Sequence, residues 1–183
     1  MIRIYEQVID SSRRNFKIGK AEILEVGDDV AILACGTMVK EAQIAANILR
    51  EKGINETVAD FLTVKPIDKD MISDLSKKCK MVVTVEEHSV VNGFGSVVAD
   101  VVAPIKNAPP LYIMGVKEGS KTTGPYREVL DYYSLTCCKI ADNIITLYKQ
   151  LDDQSKCLYN IEIRTNMKLE MICMREVTIN FVY

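Results

Sequence analysis

Val30-Ala31-Ile32-Leu33-Ala34-Cys35-Gly36-Thr37 is the stretch whose reading decides the fold. Val30 to Ala34 is an unbroken apolar run, too short for a buried helix and without polar alternation. It reads as a β-strand covered on both faces. Cys35-Gly36-Thr37 turns the chain. Thr37 is placed to cap a helix running to about Lys52, with Ala42, Ala45, Ala46 and Leu49 at helical spacing and Gly53 as its stop. A strand buried on both faces needs helices above and below it, so this one unit already points to an α/β fold.

The same unit recurs outward along the chain. Thr57 to Phe61 reads as a second strand, followed by a helix opened by Pro66 and Asp68 with Met71, Ile72 and Leu75 on its inner face. Lys80 to Glu86 is a third strand, and Gly93 to about Val102 its helix. Pro110 to Met114 is a fourth, and Thr136 starts a last helix through about Lys149 that buries Ile140, Ile144, Ile145 and Tyr148. Upstream, Ala21 to Val26 is a short strand closed by Gly27-Asp28-Asp29. The fold predicted is α/β in three layers: an open, twisted, mostly parallel five-stranded sheet with helices on both faces and one antiparallel edge strand. Residues 1–15 read as a basic arm or linker, residues 16–150 as the domain, and residues 151–183 as an unassigned extension. In that extension 160–164 and 177–182 alternate like a β-hairpin or a stretch that orders against a partner.

The chain has 183 residues, 48% hydrophobic and 26% charged, enough for one self-sufficient core. Its 23 Lys and Arg against 25 Asp and Glu leave a net charge of -2, which argues against a nucleic-acid binder. No run approaches the roughly 18 apolar residues of a membrane span, and Met1-Ile2-Arg3-Ile4-Tyr5-Glu6 is not a signal sequence. The six cysteines are scattered with no C-x-x-C pair, and His88 is the single histidine. Reduced thiols in the cytoplasm, and no metal site, are the expectation.

Two places could carry chemistry. Gly36, Thr37 and Met38 join a strand end to a helix N-terminus, where free N–H groups and the helix dipole suit a small anion. The plainer reading is that Thr37 only caps its helix. Glu86-Glu87-His88, followed by Asn92-Gly93-Phe94-Gly95, is read as a polar loop just past the third strand. Two carboxylates beside an imidazole suit acid–base work or a charged interface, and equally a satisfied structural network. Cys35 at a helix N-terminus could be an activated nucleophile, although a small apolar core cysteine is the commoner case. There is no P-loop, G-x-S-x-G or H-E-x-x-H, and G-x-G after the third strand lacks the later glycine of a dinucleotide fingerprint.

An ordered series of motifs carries a resemblance. Phe16-Lys17-Ile18-Gly19-Lys20-Ala21-Glu22-Ile23-Leu24, then Asp29 to Val39, resembles the opening of the transketolase C-terminal domain. Val64-Lys65-Pro66-Ile67-Asp68 resembles its V-K-P-[IL]-D segment. Val82-Val83-Thr84-Val85-Glu86-Glu87-His88 with Gly93-Phe94-Gly95-Ser96 resembles its V-T-V-E-E-H and G-G-F-G-S signature, and Ser134-Leu135-Thr136 to Ile140 the start of its last helix. Asn92 stands where that family usually has glycine, and Glu118-Gly119-Ser120-Lys121 replaces a stretch that often reads like D-R-F-G.

The resemblance implies a C-terminal domain or split subunit of a thiamine-diphosphate-dependent transketolase-like enzyme, which moves ketol units between sugar phosphates. The cofactor and its divalent metal (Mg) belong to two other domains of such enzymes. Gly27-Asp28-Asp29 is not their GDG motif. The expectation is therefore a chain with no catalytic, cofactor-binding or metal residues, inactive alone and contributing subunit packing. Its partners would be a second copy in a homodimer, an N-terminal transketolase subunit carrying the cofactor domains, or both, with no nucleic acid or membrane. Deoxyxylulose-phosphate synthase and 2-oxoacid dehydrogenase β subunits have equivalent domains. Thr123-Gly124-Pro125-Tyr126 leans toward transketolase. A stand-alone module binding a small anion or nucleotide at Gly36 to Met38 is the alternative class.

Overall fold

The computed structural model describes residues 17–117 and 122–152. In chain order its elements are β1 (Glu22–Glu25), β2 (Val30–Ala34), α1 (Met38–Glu51), β3 (Glu56–Asp60), α2 (Lys69–Lys78), β4 (Met81–Ser89), α3 (Phe94–Val102), β5 (Leu111–Val116) and α4 (Tyr126–Tyr132). A fifth helix, α5, occupies residues 137–152. The chain forms two compact units, Met1–Ile144 and Ile145–Tyr183, and the described part of the second is helical. The expectations for residues 1–15, for the strands at 160–164 and 177–182, and for 118–121 lie outside the described residues.

The sheet order is β1-β3-β2-β4-β5. β2 pairs in parallel with β3 and β4, and β4 with β5, while β1 lies antiparallel on β3 as the edge strand. Every residue of β2 is fully buried, as its apolar run demands. The pleat sends alternate side chains to opposite faces. Ala31, Leu33, Ala59, Phe61 and Val82 share one cluster with Ile72 and Leu75 of α2 and Phe94 and Val98 of α3. Phe61 and Phe94 meet with ring centroids 5.3 Å apart. The alternate residues, Val30, Ile32 and Ala34, are buried on the other face, where α1 packs along β2, β3 and β4.

Local chemistry sets the ends. α1 stops in a Schellman motif: Ile54 N donates to Leu49 O at 3.1 Å and Gly53 N to Arg50 O at 3.0 Å. Gly53 sits at φ 78°, the left-handed conformation that the motif needs. Asp68 caps α2, accepting from Met71 N at 3.2 Å. Asn92 has φ 56°. Asparagine tolerates that region better than most other side chains do, so the turn can carry it at this position.

Several expectations are corrected. β4 runs to Ser89, beyond the Glu86 expected as its end, so Glu87 and His88 belong to the strand as Glu86 does, rather than to a loop past it. Thr37 stands at the N-cap of α1 but makes no cap bond, because its hydroxyl is turned elsewhere. β5 begins one residue later than expected and extends to Val116. α4 was not anticipated. In α5, Ile140 and Ile144 are fully buried, whereas Ile145 and Tyr148 are half-buried.

Candidate functional site

β2 continues through α1 to β3 on one side, and β4 through α3 to β5 on the other, while β2 and β4 are neighbours. Their carboxyl ends therefore flank the point where the winding direction reverses, the usual ligand crevice of such sheets. The structure brings the two predicted places together here. Gly36 and Thr37 follow β2, and Glu86 to His88 end β4. The β4–β5 register is interrupted between Val85 and Ser89, an irregularity of the kind that re-aims side chains.

Glu86 is fully buried and fully engaged. Its Oε2 accepts from Phe94 N at 2.7 Å and its Oε1 from Gly95 N at 2.9 Å. His88 Nε2 lies 2.9 Å from Oε2 and is half exposed. The carboxylate thus satisfies free donors at the N-terminus of α3 and sits at the positive end of that helix. The glycines around it are there for room. A Cβ at Gly93 would overlap the Glu86 carboxylate, one at Gly95 would lie 2.7 Å from Thr84 Oγ1, and one at Gly115 2.8 Å from Glu86 Cγ. Phe94 is core, with no exposed surface.

Glu87 points the other way along the pleat and is exposed. Its Oε2 accepts from Thr37 Oγ1 at 2.6 Å and from Tyr126 OH at 2.8 Å, and the two hydroxyls are 3.0 Å apart. One turn into α1, Glu41 is only 3% exposed. It pairs with Arg127 and accepts from Cys137 N at 2.7 Å. α4 and the start of α5 are therefore latched across the ends of β2 and β4 by Glu41 and Glu87.

For the predicted anion site this matters. The turn at Gly36 (φ 62°) is exposed, but the protein's own carboxylate, Glu87, stands beside it. Met38 contributes its backbone alone, since its side chain is buried. Cys35 is not activated: burial, then the charges of Glu86, Glu87 and Asp60, push its thiol up to about 12. That overturns the nucleophile reading, because the helix N-terminus is outweighed by desolvation and three nearby carboxylates.

Thiamine diphosphate with its metal needs oxygen donors around a cation and positive groups for the phosphates. Among the described residues no group of three or more His, Cys, Asp or Glu could hold a metal. The crevice presents the Glu87 carboxylate with two hydroxyls, and that negative charge opposes a diphosphate. In charge, the crevice does not fit the diphosphate of the cofactor. No helix among the described residues is long and apolar enough to cross a membrane.

Sequence reasoning missed Glu41, Tyr126 and Arg127. The signal available was Pro125 ahead of Tyr126-Arg127-Glu128-Val129-Leu130, since proline favours a helix start.

A family model for the transketolase C-terminal domain matches residues 19–140. A protein of Methanocaldococcus jannaschii named for a transketolase C-terminal section is 38% identical over 148 residues, covering 80% of this chain and 45% of the relative. The 1-deoxy-D-xylulose-5-phosphate synthase of Caldanaerobacter subterraneus subsp. tengcongensis is 34% identical over 143 residues, covering 78% of this chain and 23% of the enzyme. A solved structure titled split gene transketolase, inactive beta4 tetramer, superposes with a TM-score of 0.71 at 32% identity, covering 79% of this chain and 46% of that one. A Pichia stipitis transketolase structure, with a TM-score of 0.54 at 16% identity over 74% of this chain and 19% of that one, shares the fold. The chain spans less than half the length of these relatives. With its sheet order, its VTVEEH strand and a match over most of its length, the chain belongs to the transketolase C-terminal domain family.

Proposed function

We propose that this chain serves as the C-terminal section of a thiamine-diphosphate-dependent transketolase-type enzyme, catalysing ketol transfer between sugar phosphates only together with domains that hold the cofactor. The observation that carries the reading is coverage: the chain accounts for 45% of one relative and 46% of the split-gene transketolase structure. That structure's title describes its beta4 assembly as inactive. The polar groups here support the same reading, because Glu86 is used to build α3 and Glu41 and Glu87 to latch α4.

In this reading residues 16–150 form the domain and 151–183 an extension. The domain's part is subunit packing. Its partners are a second copy and a chain carrying the cofactor-binding domains. Val91, Ile113 and Tyr132 are exposed apolar residues suited to such contacts. A cytoplasmic location fits the free thiols of Cys35, Cys79, Cys137 and Cys138.

Reconstitution tests it. The chain is mixed with an N-terminal transketolase section of the same organism, thiamine diphosphate and Mg²⁺, and ketol transfer is followed. Activity in the mixture and none from either chain alone is expected; an active isolated chain would refute it. The 34% identity to deoxyxylulose-phosphate synthase favours that enzyme's equivalent domain as a second reading. Formation of deoxyxylulose phosphate by the same mixture would select it.

A further inference from the structure

Cys137 and Cys138 open α5. Both are free thiols, Cys138 exposed and Cys137 half-buried, and their Sγ atoms lie 4.0 Å apart. The latch described above uses only the backbone N–H of Cys137. The two sulfurs are left without an assigned role.

Two neighbouring thiols can close a disulfide, ligate a metal ion, or be bridged by a trivalent soft centre. Geometry separates these outcomes. Consecutive Cα atoms across a trans peptide are about 3.8 Å apart, below the roughly 4.4–6.8 Å of ordinary disulfides. An oxidised pair would be strained and easily reduced. A structural zinc ion asks for about four ligands, and no cluster of three or more ligating side chains exists among the described residues. A trivalent arsenic centre carrying one organic group needs only two sulfurs. Taking a bond of about 2.3 Å, typical of soft metal–thiolate bonds, sulfurs 4.0 Å apart subtend roughly 120° at a shared centre. Closing that angle to about 100° moves the sulfurs together by about 0.5 Å, within reach of a small adjustment of the exposed Cys138 rotamer.

We propose that Cys137 and Cys138 form a bidentate dithiol site that captures trivalent organoarsenicals. The reaction is a condensation: an arsenoxide, R–As=O, and two Cys–SH groups give R–As(S–Cys)2 and water. Two As–S bonds form and the As–O bond breaks. The oxygen leaves with both thiol protons, and arsenic stays trivalent, so no oxidant or reductant is needed. Burial and the adjacent Glu41 charge raise the Cys137 thiol above its ordinary range. That leaves less thiolate and slows the first attack on arsenic as it slows alkylation, while the overall condensation still consumes two protonated thiols and releases water. Cys35 and Cys79 are buried and cannot compete in the folded chain.

The test is titration of the full chain with phenylarsine oxide, read by intact mass and by free-thiol count. The expected result is one adduct per chain with two thiols lost, unchanged when Cys157→Ser and Cys173→Ser are combined. In Cys138→Ser the affinity should fall at least about 100-fold, because the second bond no longer benefits from its neighbour's effective concentration. A stoichiometric dithiol should reverse the adduct where an equal amount of a monothiol does not. Cys138 is exposed, so its serine variant should keep its melting temperature, which separates lost capture from lost fold. A peptide map should put the bridge on the peptide holding both residues. Undiminished capture by Cys138→Ser, loss of capture in the Cys157→Ser and Cys173→Ser variant, or a bridge mapped elsewhere would overturn the proposal.

Discussion

Replacing Glu86 by alanine removes the group that ties β4 to α3. The side chain is fully buried, and both its oxygens accept backbone N–H groups, from Phe94 at 2.7 Å and Gly95 at 2.9 Å. Truncation leaves two buried donors without partners, at about 1–3 kcal/mol each. It also takes a negative charge from the positive end of a helix, worth up to about 2 kcal/mol in favourable geometry. Relief from burying the charge offsets part of this. The net loss expected is about 3–5 kcal/mol, the range seen when a buried charged network is broken. At about 2–4 °C per kcal/mol for a chain of this size, the melting temperature should fall by roughly 6–20 °C. Glu86→Gln is the graded control. It keeps the shape and one acceptor but sets an amide NH2 against the second N–H, so about 2 kcal/mol should be lost. Urea unfolding followed by circular dichroism reads both variants as a lower midpoint at unchanged slope. A loss below about 1 kcal/mol in Glu86→Ala would refute the structural role assigned to this carboxylate.

Other perturbations follow from the same geometry. Gly95→Ala should lose about 1–3 kcal/mol in urea unfolding, because its Cβ would overlap Ile113 and approach Thr84 Oγ1; wild-type stability would contradict that packing. Tyr126→Phe should cost under about 1 kcal/mol, since its bonds are solvent-exposed. Arg127→Ala should cost about 1–2 kcal/mol, because buried Glu41 keeps only the Cys137 N–H. In both, hydrogen exchange should quicken in α4 while β2 and β4 stay protected, and a uniform loss of protection would contradict the latch. For Asp68, burial alone would raise the carboxyl, but the amides of Ala21 and Met71 and the Lys20 ammonium outweigh it and hold it below its ordinary value. A carboxyl depressed in the folded state stabilises fully above its unfolded value near 3.8, and that stability is lost as pH falls through the lower folded value. Asp68→Asn should therefore flatten the acid limb of stability below about pH 4; an acid limb as steep as the wild type's would contradict this.

The layers of the fold were legible because burial leaves a compositional mark. Val30 to Ala34 and Met81 to Val85 hold a single polar residue, Thr84, and it too is buried. Helix α1 showed its inner face and its Gly53 stop in the same way. The ends of elements were harder, since they depend on partners far along the chain. β4 outruns its apolar run because Glu86 is held by α3, and Thr37 fails as a cap because Glu87, fifty residues on, takes its hydroxyl. The opposite roles of Glu86 and Glu87 were foreshadowed by strand alternation once β4 is known to include them. The latch was not legible: Glu41 reads as an ordinary helix-surface acid until Arg127 and Cys137 are brought to it across 86 and 96 residues. A seven-residue helix such as α4 leaves too short a pattern to detect by periodicity.

The central claim is that this chain is one section of a larger enzyme and does not itself hold the cofactor. Titration calorimetry of thiamine diphosphate with Mg²⁺ into the isolated, folded chain tests that most directly. No binding heat above dilution is expected, because the carboxyl-end crevice offers the Glu87 carboxylate and two hydroxyls rather than positive groups suited to a diphosphate. Saturable binding at micromolar concentration would contradict it.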